Sequence, residues 1–172
     1  MDLPLDSLEL RYAGLRARRP LAEKRLVASL EETGQQSPVI VVPAGEQGRY
    51  VLIEGHKRER ALRRLKADVV KATVWEMTPA EALVAAYQLQ DGTGWNAVEE
   101  GWLIWELVRV VGLSESEAGR RLERRRDGTT TAAVRSVARG AVLHVRLPAD
   151  LHDDLRSRVA FRAHLGAGRA AL

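Results

Sequence analysis

The segment Tyr50-Val51-Leu52-Ile53-Glu54-Gly55-His56-Lys57-Arg58-Glu59-Arg60-Ala61 decides the fold of this chain. Its first four residues form an apolar run that is too short for a helix, and they predict a buried β-strand. Gly55 then opens a helix, predicted over His56 to Leu65, that is basic on much of its surface. Backbone amides and several cations therefore converge where the strand meets the helix, and this arrangement favours an anion.

A phosphate chain is the anion that this junction suits. Gly55 lets the backbone approach a ligand closely, and the cations offer forked or point-charge donors. The predicted phosphate-binding residues are Gly55, His56, Lys57, Arg58 and Arg60. A solvated basic helix paired with Glu54 and Glu59 is the alternative interpretation. No metal site is predicted, because the other three histidines lie far from His56 without ligand spacing.

The surrounding patterns indicate an α+β domain over residues 1–90. The predicted elements are a short strand at residues 4–10, a helix at 21–33 ended by Gly34, buried strands at 39–42 and 50–53, the basic helix, a strand at 69–75 and a helix from Thr78 to about Leu89. Thr78 and Glu81 have the spacing of a capping box at the start of that last helix. The stretch Asp91-Gly92-Thr93-Gly94 marks the joint to a second segment.

Residues 91–172 show no β pattern and predict an all-helical domain. The predicted elements are a helix over Val98 to Val111 buried on a wide face, Gly112 as its end, a helix that Ser114 caps and that turns Ala118 and Leu122 inward, a turn at Arg125 to Gly128, and a helix that starts at Thr129 with Val134 and Val137 inward. Two helices joined by a short turn containing Gly are typical of a helix-turn-helix.

Basic residues concentrate in this second segment and suggest DNA as a partner. Residues 120–139 contain seven Arg against two acids, a surplus of five positive charges. The predicted DNA-binding residues are Arg124, Arg125, Arg126, Thr129, Thr130, Thr131, Arg135 and Arg139. A solvated face in an Arg-rich protein, or a capped three-helix bundle without a ligand, is the alternative.

Composition narrows the class of protein. The chain has 172 residues, a net charge of +4 and no Cys, so disulfides, thiolate metal sites and cysteine nucleophiles are excluded. No stretch approaches the roughly 18 apolar residues of a membrane helix. We therefore expect a soluble cytoplasmic protein with no membrane partner.

The order and spacing of these segments resemble the ParB family of chromosome and plasmid partition proteins. The resemblance rests on Leu3-Pro4-Leu5, Ser29 to Gly34, Pro38 to Val41, Tyr50 to Ala61, Asn96 to Glu100, Leu147-Pro148 and His164 to Leu172. It covers nearly the whole chain. It implies a ParB/sulfiredoxin-like α+β domain at residues 1–90, followed by an all-α helix-turn-helix domain at residues 91–172.

The resemblance also implies a nucleotide. In ParB proteins a Gly-Glu-Arg-Arg-x-Arg motif grips the triphosphate of CTP, whose binding closes a DNA clamp. Gly55, Arg58 and Arg60 match this motif, while His56 replaces its Glu and Lys57 replaces its first Arg. CTP is therefore the candidate cofactor.

Two departures weaken the match around the nucleotide. The family's second motif, Glu-Asn-x-x-Arg, falls at Gln88, Leu89 and Gly92, none of which matches, and Ser37 stands where the family has Gln before the strand Pro. These changes remove magnesium ligands and one phosphate cation. The resemblance thus supports CTP better than it supports Mg²⁺.

The function that the resemblance implies is DNA binding in DNA partition or transcription regulation. Its partners would be double-stranded DNA, a ParA-type ATPase and a second copy of the chain, on the nucleoid, with CTP hydrolysis weak or absent. The resemblance implies a C-terminal dimerisation domain as in full partition proteins, which is either missing or was trimmed from this sequence.

An enzyme of the same fold is the alternative, as a nucleotide-dependent kinase or a nuclease. It would need a metal-binding carboxylate near the phosphates, where only Glu54 and Glu59 are adjacent in sequence. Sulfiredoxin chemistry needs a Cys and is excluded. A protein-interaction module is a further alternative.

Overall fold

The computed structural model of the chain describes residues 1–89 and 95–123. The strands in these ranges are β1 (Asp2–Pro4), β2 (Leu8–Glu9), β3 (Val39–Pro43), β4 (Tyr50–Glu54) and β5 (Val69–Val74). The α-helices are α1 (Pro20–Thr33), α2 (His56–Arg64), α3 (Pro79–Leu89), α4 (Ala97–Arg109) and α5 (Glu115–Glu123). None of these helices combines the length and the apolar composition that a membrane span requires.

The strands form one mixed sheet in the order β1-β5-β3-β4-β2. β1 runs antiparallel to β5, β5 parallel to β3, β3 antiparallel to β4, and β4 parallel to β2. A register shift between Ile40 and Val41 interrupts the pairing of β3 with β4. β3 therefore lies at the centre of the sheet, and β4, which leads directly to the basic helix, lies between β3 and the edge strand β2.

Both faces of the sheet are covered, because alternate strand residues enter different cores. Leu52 packs in a core with Leu30 of α1 and Leu62 of α2. Its neighbours on either side along β4, Val51 and Ile53, pack in a second core with residues of α3, α4 and α5. The fold has three layers, with α1 and α2 on one face and α3 to α5 on the other.

The start of the chain differs from the single strand predicted at residues 4–10. β1 and β2 are separate strands on opposite edges of the sheet, joined by a 3₁₀ turn at Leu5–Ser7. Pro4 has no N–H for a ladder, and Ser7 Oγ donates to its carbonyl at 2.6 Å. One continuous strand cannot reach both edges, so the prediction of a single strand was wrong.

The remaining predicted elements within the described ranges are present. Gly34 ends α1 with a φ of 67°, and Thr78 and Glu81 form the capping interactions before α3. Ser114 Oγ accepts from the Glu117 N–H at 3.2 Å at the start of α5. These local patterns were sufficient because each depends on residues close in sequence.

The predicted helix over Val98 to Val111 packs a wide face against the core, as expected, but it ends two residues earlier. α4 ends at Arg109, and Val110 and Val111 beyond it are exposed, as is Trp105. Its buried apolar residues are Leu103, Ile104 and Leu107, and the partly buried Trp102 and Val108 pack against the same core.

The described part of the second segment shares a core with the first. Leu103 of α4 and Ala118 and Leu122 of α5 pack in one cluster with Leu83 and Tyr87 of α3. The boundary between residues 90 and 91 remains a prediction. The predicted turn at 125–128, the third helix and all eight predicted DNA-binding residues lie outside the described residues.

Candidate anion-binding pocket

Gly55 is the pivot between β4 and α2. It has φ 104° and ψ 17°, in the left-handed region that residues with side chains rarely adopt. A Cβ at this position would lie 2.5 Å from Val39 Cγ1 and 2.9 Å from Val39 Cβ. Only glycine lets α2 begin this close to the central strand.

A pocket of about 170 Å³ opens at this helix start. Its lining combines Gly55 and His56 with four cationic side chains and two carboxylates. The cations are Arg16, Arg19, Lys57 and Arg58, and the carboxylates are Glu54 and Glu99. The surplus of positive charge and the amino end of a helix together make the pocket suitable for an anion.

Arg58 and Lys57 lie at the pocket as the sequence predicted. Arg58 Nη1 donates to the Pro38 carbonyl at 2.6 Å, which anchors the guanidinium against the loop before β3. Within residues 1–89 and 95–123, neither side chain forms an ion pair with a carboxylate. Their charge therefore remains for a ligand.

Arg60 is not brought into the pocket. Its Nε and Nη2 both donate to Glu23 Oε1, at 3.0 and 2.5 Å, and this ion pair joins α2 to α1. Glu59, which the sequence offered as a possible neighbour of the site, is buried and pairs with Arg63 instead. Arg60 thus stabilises the packing of α2 against α1, whereas Glu59 forms an ion pair within α2.

His56 forms part of the pocket wall and carries no charge there. It is 3% exposed, and burial, with Arg60 and Arg16 nearby, lowers its pKa from 6.5 to about 3. A backbone hydrogen bond at Ile53 opposes this shift. At neutral pH, His56 therefore shapes the pocket without adding a cation to it.

Glu99 was not foreseen as a site residue, although it holds the pocket together. Its Oε1 accepts from the Ala17 N–H at 2.9 Å, and its Oε2 accepts from the Asn96 N–H at 3.0 Å. The second bond belongs to the capping box of α4, in which Asn96 also accepts from the Glu99 N–H. One buried carboxylate thus fixes both the loop before α1 and the start of α4.

Two arginines from that loop were also missed. Arg19 Nη2 lies 3.7 Å from Glu99 Oε2, and Arg16 Nη1 lies 4.0 Å from the same oxygen. The Arg16 guanidinium stacks over the Trp95 ring at 4.3 Å from its centroid, a cation–π contact. The run of basic residues before Pro20 was the available signal, but nothing local connects it to Gly55.

Gln88 and Leu89, the described residues at the position of the family's second nucleotide motif, do not line the pocket. Gln88 Nε2 donates to the Arg121 carbonyl at 2.7 Å and so ties α3 to α5, while Leu89 is exposed. Across residues 1–89 and 95–123, no three His, Asp or Glu side chains come together as a metal site. Of the two pocket carboxylates, Glu99 is held by two backbone N–H groups, so Glu54 is the one left for a ligand.

Comparison with known proteins agrees with this architecture. The sequence profile of the ParB N-terminal domain matches residues 3–90, which is more than half of the chain. This chain belongs to the ParB N-terminal domain family. A Pnob8-like ParB-N domain has the same fold, with a TM-score of 0.55 at 15% identity over 86% of this chain and 69% of that one.

Two curated relatives match this chain over only part of their own length. A nucleoid occlusion protein of Bacillus pumilus is 29% identical over 98 residues, which cover 56% of this chain and 34% of the relative. A probable chromosome-partitioning protein ParB of Pseudomonas putida is 28% identical over 118 residues, which cover 67% of this chain and 40% of the relative. This chain therefore spans well under half of either protein.

Proposed function

We propose that this ParB-family chain is a DNA-binding protein of DNA partition or transcription regulation that binds nucleotide phosphates at the pocket before α2. The observation that carries the proposal is the junction at Gly55. A helix start, close backbone approach and the unpaired cations Lys57 and Arg58 meet at one cavity. Phosphate oxygens are the ligands that such an arrangement recognises.

Each cation has a distinct use in this proposal. Arg58 presents a fork of N–H donors held in place by the Pro38 carbonyl, which suits two oxygens of one phosphate. Lys57 adds a mobile point charge, and Arg19 approaches from the loop before α1. CTP is the nucleotide that the family resemblance implies, and the switch it would drive is part of the proposal.

The pocket residues support Mg²⁺ binding less well than they support phosphate binding. Mg²⁺ prefers carboxylate and water oxygens, and Glu54 is the pocket carboxylate left to supply one. Without a metal bridging the phosphate oxygens, phosphoryl transfer lacks its main charge stabilisation. We therefore propose a nucleotide-binding protein with little or no turnover, and phosphate release from CTP with duplex DNA should stay near background.

The DNA partner is proposed from the family and from the basic sequence at residues 120–139. The relatives named above are a nucleoid occlusion protein and a chromosome-partitioning protein. Proposed contacts are the eight Arg and Thr residues predicted between 124 and 139, on a nucleoid-associated cytoplasmic protein. A ParA-type ATPase and a second copy of the chain are further proposed partners.

Fluorescent CTP titrated with and without duplex DNA tests the nucleotide proposal. We expect Arg58→Gln to weaken binding by at least tenfold, because a charge-assisted pair contributes about 1.5 to 3 kcal/mol. Arg64→Gln is the matched control for the titration without DNA, since Arg64 lies on the same helix, is exposed and does not line the pocket. Equal binding by both variants and the wild type would place the nucleotide elsewhere.

Salt titration of duplex binding tests the DNA proposal. Arg135→Ala with Arg139→Ala should lower the logarithmic salt slope by about 0.9 for each phosphate that the protein no longer neutralises. An unchanged affinity and slope would indicate that these arginines lie on a solvated surface and do not contact DNA.

A further inference from the structure

Besides residues 120–139, positive charge is concentrated in two further segments that pack against each other. Residues 16–25 and 56–66 contain eleven Lys and Arg and two acids, a surplus of nine. The whole chain has a net charge of only +4, so all other residues together carry a net charge of −5. α1 and α2, which these segments build, lie side by side on one face of the sheet.

Ion pairs within the protein neutralise only part of this positive charge. Glu23 and Glu59, the two acids, are already paired with Arg60 and Arg63. Four further cations line the pocket described above. The five that remain are all exposed, and we name them the α1–α2 basic surface: Arg18, Lys24, Arg25, Arg64 and Lys66. Within residues 1–89 and 95–123, none of the five has an ion pair.

Helix stability does not explain the part of this surface that α1 provides. A helix is stabilised by acids near its amino end and by cations near its carboxyl end. In α1 the one acid of the first turn, Glu23, is paired with Arg60 of α2. Arg18 lies before the first turn, Lys24 and Arg25 lie in the second turn, and Glu31 and Glu32 occupy the last turn, which has no basic residue. The helix dipole therefore gives no reason for the α1 cations.

We infer that the α1–α2 basic surface docks on the phosphate backbone of duplex DNA. The inference rests on the proposed DNA binding and adds a second contact, made by the ParB N-terminal domain itself. Three of the five cations are arginines, whose guanidinium groups suit phosphate geometry. Leu21 is the exposed large apolar residue next to the surface, and one such residue is too few for insertion into a lipid surface. This contact with the phosphate backbone depends on charge and does not depend on the base sequence of the DNA.

The test compares two double variants of the full chain that remove the same charge. Lys24→Gln with Arg25→Gln removes two cations of the surface, and Arg11→Gln with Lys71→Gln removes two exposed cations elsewhere. Binding to a fluorescent duplex of random sequence is measured by anisotropy across a salt series. We expect the first variant to bind about tenfold more weakly, with a logarithmic salt slope lower by about 1 to 2, and the control to change far less.

A second readout separates docking from structure. The thermal midpoint of the Lys24, Arg25 variant should not fall, because neither cation forms an ion pair within residues 1–89 and 95–123. A lower midpoint would assign them a structural role and overturn the inference. Arg18→Gln with Arg64→Gln carries the same expectation for DNA binding and provides an independent variant.

The remaining outcomes also decide the question. Equally weakened binding in the surface and control variants would mean that only net charge matters, and unchanged binding in both surface variants would leave the surface without a DNA contact. Binding of anionic phosphatidylglycerol vesicles, abolished in the same variants while duplex binding persists, would assign the surface to a membrane and overturn the inference. If the wild type binds no duplex at all, the proposed function fails as well.

Discussion

The two faces of the sheet use charge in opposite ways. On the α1–α2 face, cations point outward and Glu59 is the buried carboxylate of the described residues there. On the α3–α5 face, three carboxylates of α4 are buried, at positions Glu99, Glu100 and Glu106. We propose that the first face meets an anionic partner, whereas the buried carboxylates of α4 serve contacts inside the protein.

The pocket lies where these two faces meet. Lys57 and Arg58 come from α2, while Glu99 comes from α4 and holds the loop that carries Arg16 and Arg19. An anion bound there would contact groups from both faces. The difference between the faces therefore explains why the pocket combines free cations with a fixed scaffold.

We expect the largest loss of stability from Gly55→Ala, which disrupts the α2 side of the pocket at the junction with β4. The added Cβ would lie 2.5 Å from Val39 Cγ1, and φ stays at +104°. Strain and overpacking together should cost about 2 to 4 kcal/mol in urea unfolding.

Gly34→Ala is the matched control for this substitution. Gly34 also has positive φ, at +67°, but no atom lies within 4 Å of a Cβ built there. Its ψ of −175° lies outside the αL region, so backbone strain alone should cost about 1 to 3 kcal/mol, less than strain and overpacking together at Gly55. Equal costs for the two glycines would show that close packing against Val39 does not matter.

We expect a smaller loss of stability from Glu99→Gln, which disrupts the α4 side of the pocket. An amide offers one acceptor oxygen for the two N–H donors of Ala17 and Asn96, and it removes the attraction of Arg16 and Arg19. We expect a decrease of about 2 kcal/mol in the free energy of unfolding.

Glu100→Gln provides the comparison at the next residue. Its Oε1 accepts from the Tyr87 hydroxyl at 3.1 Å, and its Oε2 has no hydrogen-bond partner among the described residues. Glutamine can keep that one bond, so the decrease should be clearly smaller than for Glu99. Similar decreases at both positions would argue against a special role for Glu99 at the pocket.

The smallest expected change in stability is the decrease that His56 causes when the pH is lowered. The pKa of His56 is lowered to about 3 in the folded protein and is about 6.5 in the unfolded chain. Between these values the unfolded chain binds more protons, so stability is full above pH 6.5 and falls as pH decreases toward 3. The decrease should be about 1 kcal/mol per pH unit just below pH 6.5.

Urea unfolding of the wild type and of His56→Gln, at neutral pH and at about pH 5.5, measures this contribution. The variant should show the shallower dependence. Identical dependences would mean that His56 is not held neutral in the pocket wall.

Local patterns in the sequence were sufficient for most of the fold. The apolar run at 50–53, Gly55 and the capping residues Thr78 and Ser114 each predicted an element that is present. They succeed because strand burial, positive φ and helix capping depend on residues close in sequence. The division into β1 and β2 was missed because it depends on pairing with strands at opposite edges of the sheet.

The pocket was predicted only in part for the same reason. Lys57 and Arg58 follow Gly55 directly, so their placement could be inferred from the helix start. Glu99 binds Ala17 across 82 residues of sequence, and no local pattern connects them. Arg60 shares the motif but turns to Glu23 of α1, a pairing that only the packing of the two helices reveals.

The central claim is that the pocket at Gly55 binds the phosphate chain of a nucleotide. Calorimetric titration of the full chain with CTP, tripolyphosphate and cytidine tests it most directly. We predict that CTP and tripolyphosphate bind, that cytidine does not, and that Arg58→Gln weakens both interactions while Arg64→Gln leaves them unchanged. Binding of cytidine as tight as that of CTP, or wild-type affinity in Arg58→Gln, would contradict the claim.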